Sequence, residues 1–344
     1  MPKYELISFV LSEAKKLNPG KTVVAKSTQS APPYFSEAVP KQTLINEEEI
    51  TLDNKKIGVF IKSYKPGILL IEARVVVDNP FSNDAFDLRD KLIDTLNKVS
   101  KKYGGDLKFS EEYSLMTVSQ YDGDAEQFLK YSEKIAGFLK SEKAKLDQKE
   151  IEHTINTYQI KYADNDLVII DWDGAFIFEP KEDIGSIVEL FEIANLQLLR
   201  YRILDDDLSD RLDTVTKLVS EPKEGMLQML FTQRKISDAF KEVIGVRTKS
   251  IKEFKFIEKE IKLIGDWYLA RLYRLLSTKF RFNEWKEDVT EKLDSIEDIY
   301  TIIENNFSLS RNEFLEFIQI ILFFVLQIGW FILIILEFFY FTRK

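Results

Sequence analysis

The chain has 344 residues, 45% of them hydrophobic and 31% charged, with 57 acidic against 48 basic side chains and a net charge of -9. That apolar supply is enough for folded cores and argues against a disordered chain, while the negative balance argues against general affinity for nucleic acid or an anionic membrane surface. Cysteine is absent, which excludes disulfides, thiolate nucleophiles and Cys-ligated metal sites, and with His153 the single histidine a histidine-based metal site is excluded by number.

Met1 to Lys21 carries a short apolar piece, Leu6 to Leu11, interrupted by Glu13, Lys15 and Lys16. It reads neither as a signal peptide nor, lacking arginine enrichment, as a mitochondrial presequence, so the soluble part is expected in the cytoplasm. Asn18-Pro19-Gly20-Lys21-Thr22 resembles the end of a phosphate loop, but Lys15 stands where its first glycine belongs, and nucleotide binding is not expected. Residues 26 to 43 read as a polar, Pro-containing loop, and strands are predicted at Ile57 to Tyr64 and Ile68 to Val77, split by Pro66 and Gly67. A helix from Asn83 to Tyr103 is stopped by Gly104 and Gly105. There follow a strand near Tyr113 to Ser119, a helix over Ala125 to Leu139, and strands at Ile151 to Tyr158 and Leu167 to Trp172.

Asp173-Gly174 carries a type I′ hairpin signal that returns the chain along Ala175 to Phe178. Residues 1–180 thus make an α+β soluble domain, with helices on one face of a mainly antiparallel sheet. On the strand reading His153 shares a face with Ile151 and Ile155 and is a packed or edge histidine rather than a base. Asp171 and Asp173 flank Trp172 and serve the turn, with a cation site as the sharper alternative.

Residues 181–309 read as a helical, coiled-coil-like stalk, since all nine prolines lie at or before Pro222. Ile187, Leu190, Ala194, Gln197, Tyr201, Leu204, Leu208 and Leu212 alternate by three and four along a first long helix. A second helix, running to Lys279, repeats the rhythm with Phe254, Ile257, Ile261, Ile264, Tyr268 and Leu275, and a third starts at Asn283 as N-cap. The acidic run Asp205, Asp206, Asp207 and Asp210 is a solvated face, with divalent-cation binding as the alternative. Thr232 to Arg281 holds thirteen basic residues to six acidic, and Asn283 to Glu316 three to ten. The two arms are therefore expected to pair as an antiparallel hairpin, with anionic lipid or nucleic acid as the rival ligand of the basic arm.

Residues 310–344 are the predicted transmembrane anchor. Phe317 to Phe341 is apolar apart from Gln319, Gln327, Gly329 and Glu337, roughly 37 Å of helix against a hydrocarbon core of about 30 Å. It spans once, so residues 317–341 have a lipid bilayer as partner. Ser310 with Glu313 suggests a capping box, and Leu309 with Phe314 a hydrophobic staple, placing a helix start in water. Phe338 to Phe341 followed by Arg343 and Lys344 form an interfacial girdle with a basic end. Gln319 and Glu337, eighteen residues and five turns apart, share one face, read as an oligomer contact with a pore lining as alternative.

The run Leu167 to Phe178, then Glu192, Ala194 to Tyr201 and Asp207-Leu208, with Trp285, Leu293, Ile299, Tyr300 and Glu313-Phe314-Leu315-Glu316 before the span, resembles a group of uncharacterised prokaryotic membrane proteins. More distantly, residues 150 to 344 are similar to the required-for-meiotic-nuclear-division family of mitochondrial and fungal proteins. That resemblance implies an α+β domain, a coiled coil, a C-terminal span and a tethering or assembly role, with no catalytic residues to carry over. Its mitochondrial members are linked to organelle translation, a role not transferred to a chain without a presequence.

The function expected is a membrane-tethered, non-enzymatic scaffold that self-associates through its stalk, with an unidentified protein partner. No catalytic residue, cofactor site or metal ligand is assigned. The alternative is a homo-oligomeric ion channel or transporter of CorA-like layout, whose family carries Gly-Met-Asn after a first span and then a second span. Neither occurs in this sequence.

Overall fold

Leu6 to Leu11 is the middle of a strand, β1 (Lys3–Ala14). Its run does not alternate because both faces are covered: Leu6, Val10 and Ala14 enter one apolar core, and Ile7, Phe9 and Leu11 enter another. In the computed structural model, which describes residues 2–14, 21–23, 42–65, 67–220 and 267–342 with isolated positions between 241 and 252, β1 is the central strand of a nine-stranded sheet.

The other strands are β2 (Lys21–Val23), β3 (Gln42–Leu52), β4 (Lys55–Tyr64), β5 (Ile68–Val77), β6 (Gly105–Ser119), β7 (Gln159–Ile160), β8 (Leu167–Ile170) and β9 (Gly174–Phe178), in the spatial order β2-β3-β4-β5-β1-β6-β9-β8-β7. Every neighbouring pair is antiparallel except β6 with β9. The mainly antiparallel α+β class is therefore as the sequence predicts.

Helices cover both faces, which corrects the expectation of one. On one side lie α1 (Asn83–Lys102), a 3₁₀ turn (Ala125–Tyr131), α2 (Ser132–Leu139) and α3 (Gln148–Thr157). Ser82 caps α1 by accepting from the Ala85 N–H, and Phe86, Leu92, Leu96 and Val99 pack downward. Buried Arg89 joins α1 to α2, donating to the Phe138 carbonyl at 2.7 Å with its guanidinium over the Phe86 and Phe138 rings.

The other side is covered by the first half of α4 (Gly185–Ser220) and by α5 (Trp267–Lys279). Ile187, Leu190, Ala194 and Tyr201 of the predicted seam are buried there with Val188, Phe191, Leu272 and Leu276 against Ile7, Phe9 and Leu70. The three-and-four spacing is thus satisfied by the sheet over that stretch. Phe254, Ile257, Ile261 and Ile264 lie outside the described residues, while Tyr268 and Leu275 are half-buried against the same core.

Two further corrections concern local signals. The strand predicted at Ile151 to Tyr158 is α3, because Ile151, Thr154 and Ile155 are buried at helical spacing and Asp147 caps it by accepting from the Lys149 N–H at 2.9 Å. The type I′ turn is not at Asp173-Gly174, neither of which has positive φ. Three residues link β8 to β9, closed by the Asp171 N–H on the Gly174 carbonyl at 2.9 Å. Gly174 serves a close approach instead, since a Cβ there would lie 2.7 Å from the Ser114 carbonyl oxygen of β6. The left-handed pair is Asp53 (φ 46°) and Asn54 (φ 62°), between Leu52 and Lys55 of the β3–β4 hairpin.

Met1–Asp206 with Lys249–Val289 forms one compact unit, and Asp207–Thr248 with Thr290–Lys344 a second. In the second, Leu208, Leu293 and Ile296 are buried and Lys292 Nζ donates to Ser209 at 2.7 Å. Helix α6 runs unbroken from Phe282 to Thr342, so Ser310 caps no new helix. Without proline, and with Gly329 the one glycine in that stretch, propagation costs less than a second nucleation. Most of the basic arm expected to pair with α6 lies outside the described residues.

Candidate functional site

A charged residue on an apolar strand face needs a partner, and three such residues converge between α4 and the sheet. On β4, Lys62 and Tyr64 face α4, on β5 Glu72 and Arg74 do, and β3 adds Gln42. Glu192, in the second turn of α4, reaches down among them. Its Oε2 accepts from Tyr64 Oη at 2.8 Å and Gln42 Nε2 at 3.0 Å, and its Oε1 faces Lys62 Nζ at 3.4 Å. Lys62 also donates to Glu72, which takes a second bond from Arg74 Nε at 2.6 Å. The side chains of Glu72 and Glu192 are each 1% exposed and that of Lys62 16%.

The electrostatics of the two carboxyls diverge. Burial pushes Glu72 up, but Lys62 and Arg74 outweigh it and hold it well below the usual carboxylate range. Burial also pushes Glu192 up, Lys62 pulls it back, and the neighbouring Glu72 opposes ionisation again, leaving it raised to about 7. Burial lowers and the two carboxylates raise the Lys62 ammonium, with a net rise. Tyr64 is raised, first by burial and then by Glu192.

A third buried acid, Asp171, lies just past the end of β8. Lys279 Nζ of α5 lies 2.5 Å from its Oδ1 and Lys140 Nζ, just after α2, 3.7 Å from its Oδ2, while the Trp172 N–H donates to Oδ1 at 2.7 Å. Lys279 also sits over the Tyr158 ring, 4.6 Å from its centroid. Asp171 therefore ties α2 and α5 to the end of β8 through two ammonium groups.

The other residues singled out in the sequence are dispersed. His153 is exposed on α3, with Nδ1 3.1 Å from Thr157 Oγ1. Asp206 pairs with Lys108 at 2.9 Å and Asp207 with Arg211 at 3.1 Å, while Asp210 lends its carbonyl to Thr214. Among the described residues no three His, Cys, Asp or Glu side chains gather as a metal-ligating group. Lys21 and Thr22 fall in β2, and residues 18–20 lie outside the described residues. Gln319 and Glu337 are both exposed on α6.

Sequence reasoning missed the Lys62–Glu72–Glu192 cluster. Its signal is one acid, Glu72, inside the ten-residue run Ile68 to Val77, matched by Glu192 inside the apolar stretch Val188 to Ala194. At the other end of the chain, Ile318–Thr342 is an apolar helical segment of 25 residues, exposed throughout and long enough to cross a membrane.

Comparison with known proteins places the chain in a family. The family model for the N-terminal domain of Uncharacterized protein MJ0711 matches residues 8–184, the part that holds β2 to β9 whole and β1 from Ser8 onward. Uncharacterized protein MJ0711 of Methanocaldococcus jannaschii is 33% identical over 273 residues, covering 78% of this chain and 79% of the relative. No solved structure matches the chain.

Proposed function

This chain belongs to the MJ0711 protein family, and we propose that it is a membrane-tethered, non-enzymatic scaffold or assembly protein, single-pass, with its sheet unit in the cytoplasm. The observation that carries this reading is the C-terminal segment Ile318–Thr342, apolar and exposed along its whole length at the end of a 61-residue helix. In water such a surface has no stable setting, and in a bilayer it needs none beyond lipid.

Self-association is inferred from two of the three strongly polar side chains in the span, Gln319, Gln327 and Glu337. Gln319 and Glu337 lie five turns apart on one helix face, where a second copy would satisfy them in place of hydrocarbon. The part of the helical region left for a stalk is the second unit, beyond Asp206 and Val289.

The chain's lack of cysteine makes a clean test possible. Gln319→Cys and, on the opposite face, Ile321→Cys are introduced singly into the full chain and oxidised in native membranes. A disulfide-linked dimer through position 319 and not 321 is expected. No cross-link at 319, or equal cross-linking at both, overturns self-association through this face.

A further inference from the structure

We infer that the buried pair Glu72 and Glu192 is a proton-binding site, occupied at neutral pH on Glu192, and that this proton clamps α4 to the sheet. The argument is one of charge against partners. Glu72 has two cations in contact, Lys62 and Arg74. Glu192 has two neutral donors, Tyr64 and Gln42, and only the far side of Lys62 at 3.4 Å. Among the described residues the surrounding elements add no further cation in contact: β1 contributes Glu5, which acts on Arg74, and α4 contributes Glu189, which acts on Tyr64. Arg200, two turns along α4, is turned to the Lys65 carbonyl at 2.9 Å. Two cations thus face two carboxyl groups sealed from water, Glu72 held by both and Glu192 by one at 3.4 Å, and burying a carboxylate without a full partner is costly enough that the group takes up a proton instead.

The consequence is local. A protonated Glu192 sits beside the Glu72 carboxylate without repulsion while keeping its Tyr64 and Gln42 bonds, so α4 is held to β3, β4 and β5 at once. Ionised, it repels Glu72 across the shared lysine. When α4 lifts from the sheet Glu192 meets water and returns to an ordinary carboxyl, so opening releases one proton. Up to the native titration point the opening equilibrium should then rise roughly tenfold per pH unit.

The test uses the full chain in detergent micelles. Infrared difference spectra near pH 6.5, where exposed carboxylates are ionised, should show one carboxylic-acid carbonyl band in wild type that Glu192→Gln removes. Glu111, also raised by burial, is present in both proteins and cancels. Glu72→Gln should remove the band as well, because Lys62 then serves Glu192 alone. A band missing from wild type, surviving Glu192→Gln, or surviving Glu72→Gln overturns the proposal. Should either variant fail to fold, wild-type amide exchange over 188–200 decides: an excess over the intrinsic rate growing roughly tenfold per pH unit between pH 5 and 7 is expected, and no excess pH dependence overturns the clamp.

Discussion

Replacing Lys62 by Met deletes the one cation that serves both buried glutamates while keeping the aliphatic stem. In wild type Lys62 contacts Glu72 and lies 3.4 Å from Glu192, and both carboxylates are 1% exposed. After the change Glu72 retains Arg74, itself about a third exposed, and Glu192 retains no cation within contact. Removing one partner of a buried ion pair costs roughly 3–5 kcal/mol, a large share of the roughly 5–15 kcal/mol that holds a folded domain. Urea unfolding of the full chain in micelles, followed by the fluorescence of Trp172 and Trp285, reads this loss as a lower midpoint with unchanged slope. The double variant Lys62→Met with Glu72→Gln should recover roughly 2 kcal/mol of it, because neighbours that share one network do not act additively. A loss below about 1 kcal/mol for Lys62→Met, or no recovery in the double variant, would refute the idea that Lys62 balances the Glu72 carboxylate beside a protonated Glu192.

The same pair sets a pH dependence. Glu192, raised in the folded protein, contributes stability that is present below the ordinary carboxyl value and lost as pH rises from there to about 7. Glu72, lowered, contributes stability that is lost as pH falls below the ordinary value. Urea midpoints should therefore decline from pH 5 to 7.5 in wild type and decline less in Glu192→Gln. Asp171→Asn leaves the largely buried ammonium of Lys279 without its carboxylate, and amide protection of residues 267–279 should fall by an opening cost of roughly 3 kcal/mol. In the β3–β4 hairpin, Asn54→Gly should be tolerated and Asn54→Val should destabilise by roughly 1–2 kcal/mol, since Asn54 has φ 62°. Thermal midpoints of the two variants check this, and equal values would contradict the left-handed turn.

Legibility in the sequence followed the physics of each element. Strand β5 was readable because Pro66-Gly67 precedes a short run rich in β-branched residues, and helix α1 because its apolar residues recur at helical spacing up to Gly104-Gly105. Strand β1 was not, because a central strand covered on both faces shows no alternation. Helix α3 was misread because ten residues with Ile151, Thr154 and Ile155 satisfy a helical spacing while Ile151, His153 and Ile155 also satisfy a strand one. The first half of α4 carries a seam that fits a partner helix, yet the sheet supplies the opposing surface. Sequence spacing tells which face is apolar and says nothing of what covers it. The Glu72–Glu192 pair was invisible for a related reason, since 120 residues separate two acids that meet only through the pairing of β4 with β5 and the docking of α4. The apolar C-terminal segment was plain throughout, because length and apolarity alone mark a helix long enough to cross a membrane.

Alkaline carbonate extraction of membranes containing the full chain, beside a version ended after Asn306, tests the tether most directly. The full chain is expected to stay with the membrane pellet and the shortened chain to appear folded in the supernatant without detergent. A full chain released by carbonate, or a shortened one that still pellets, would contradict anchoring by Ile318–Thr342.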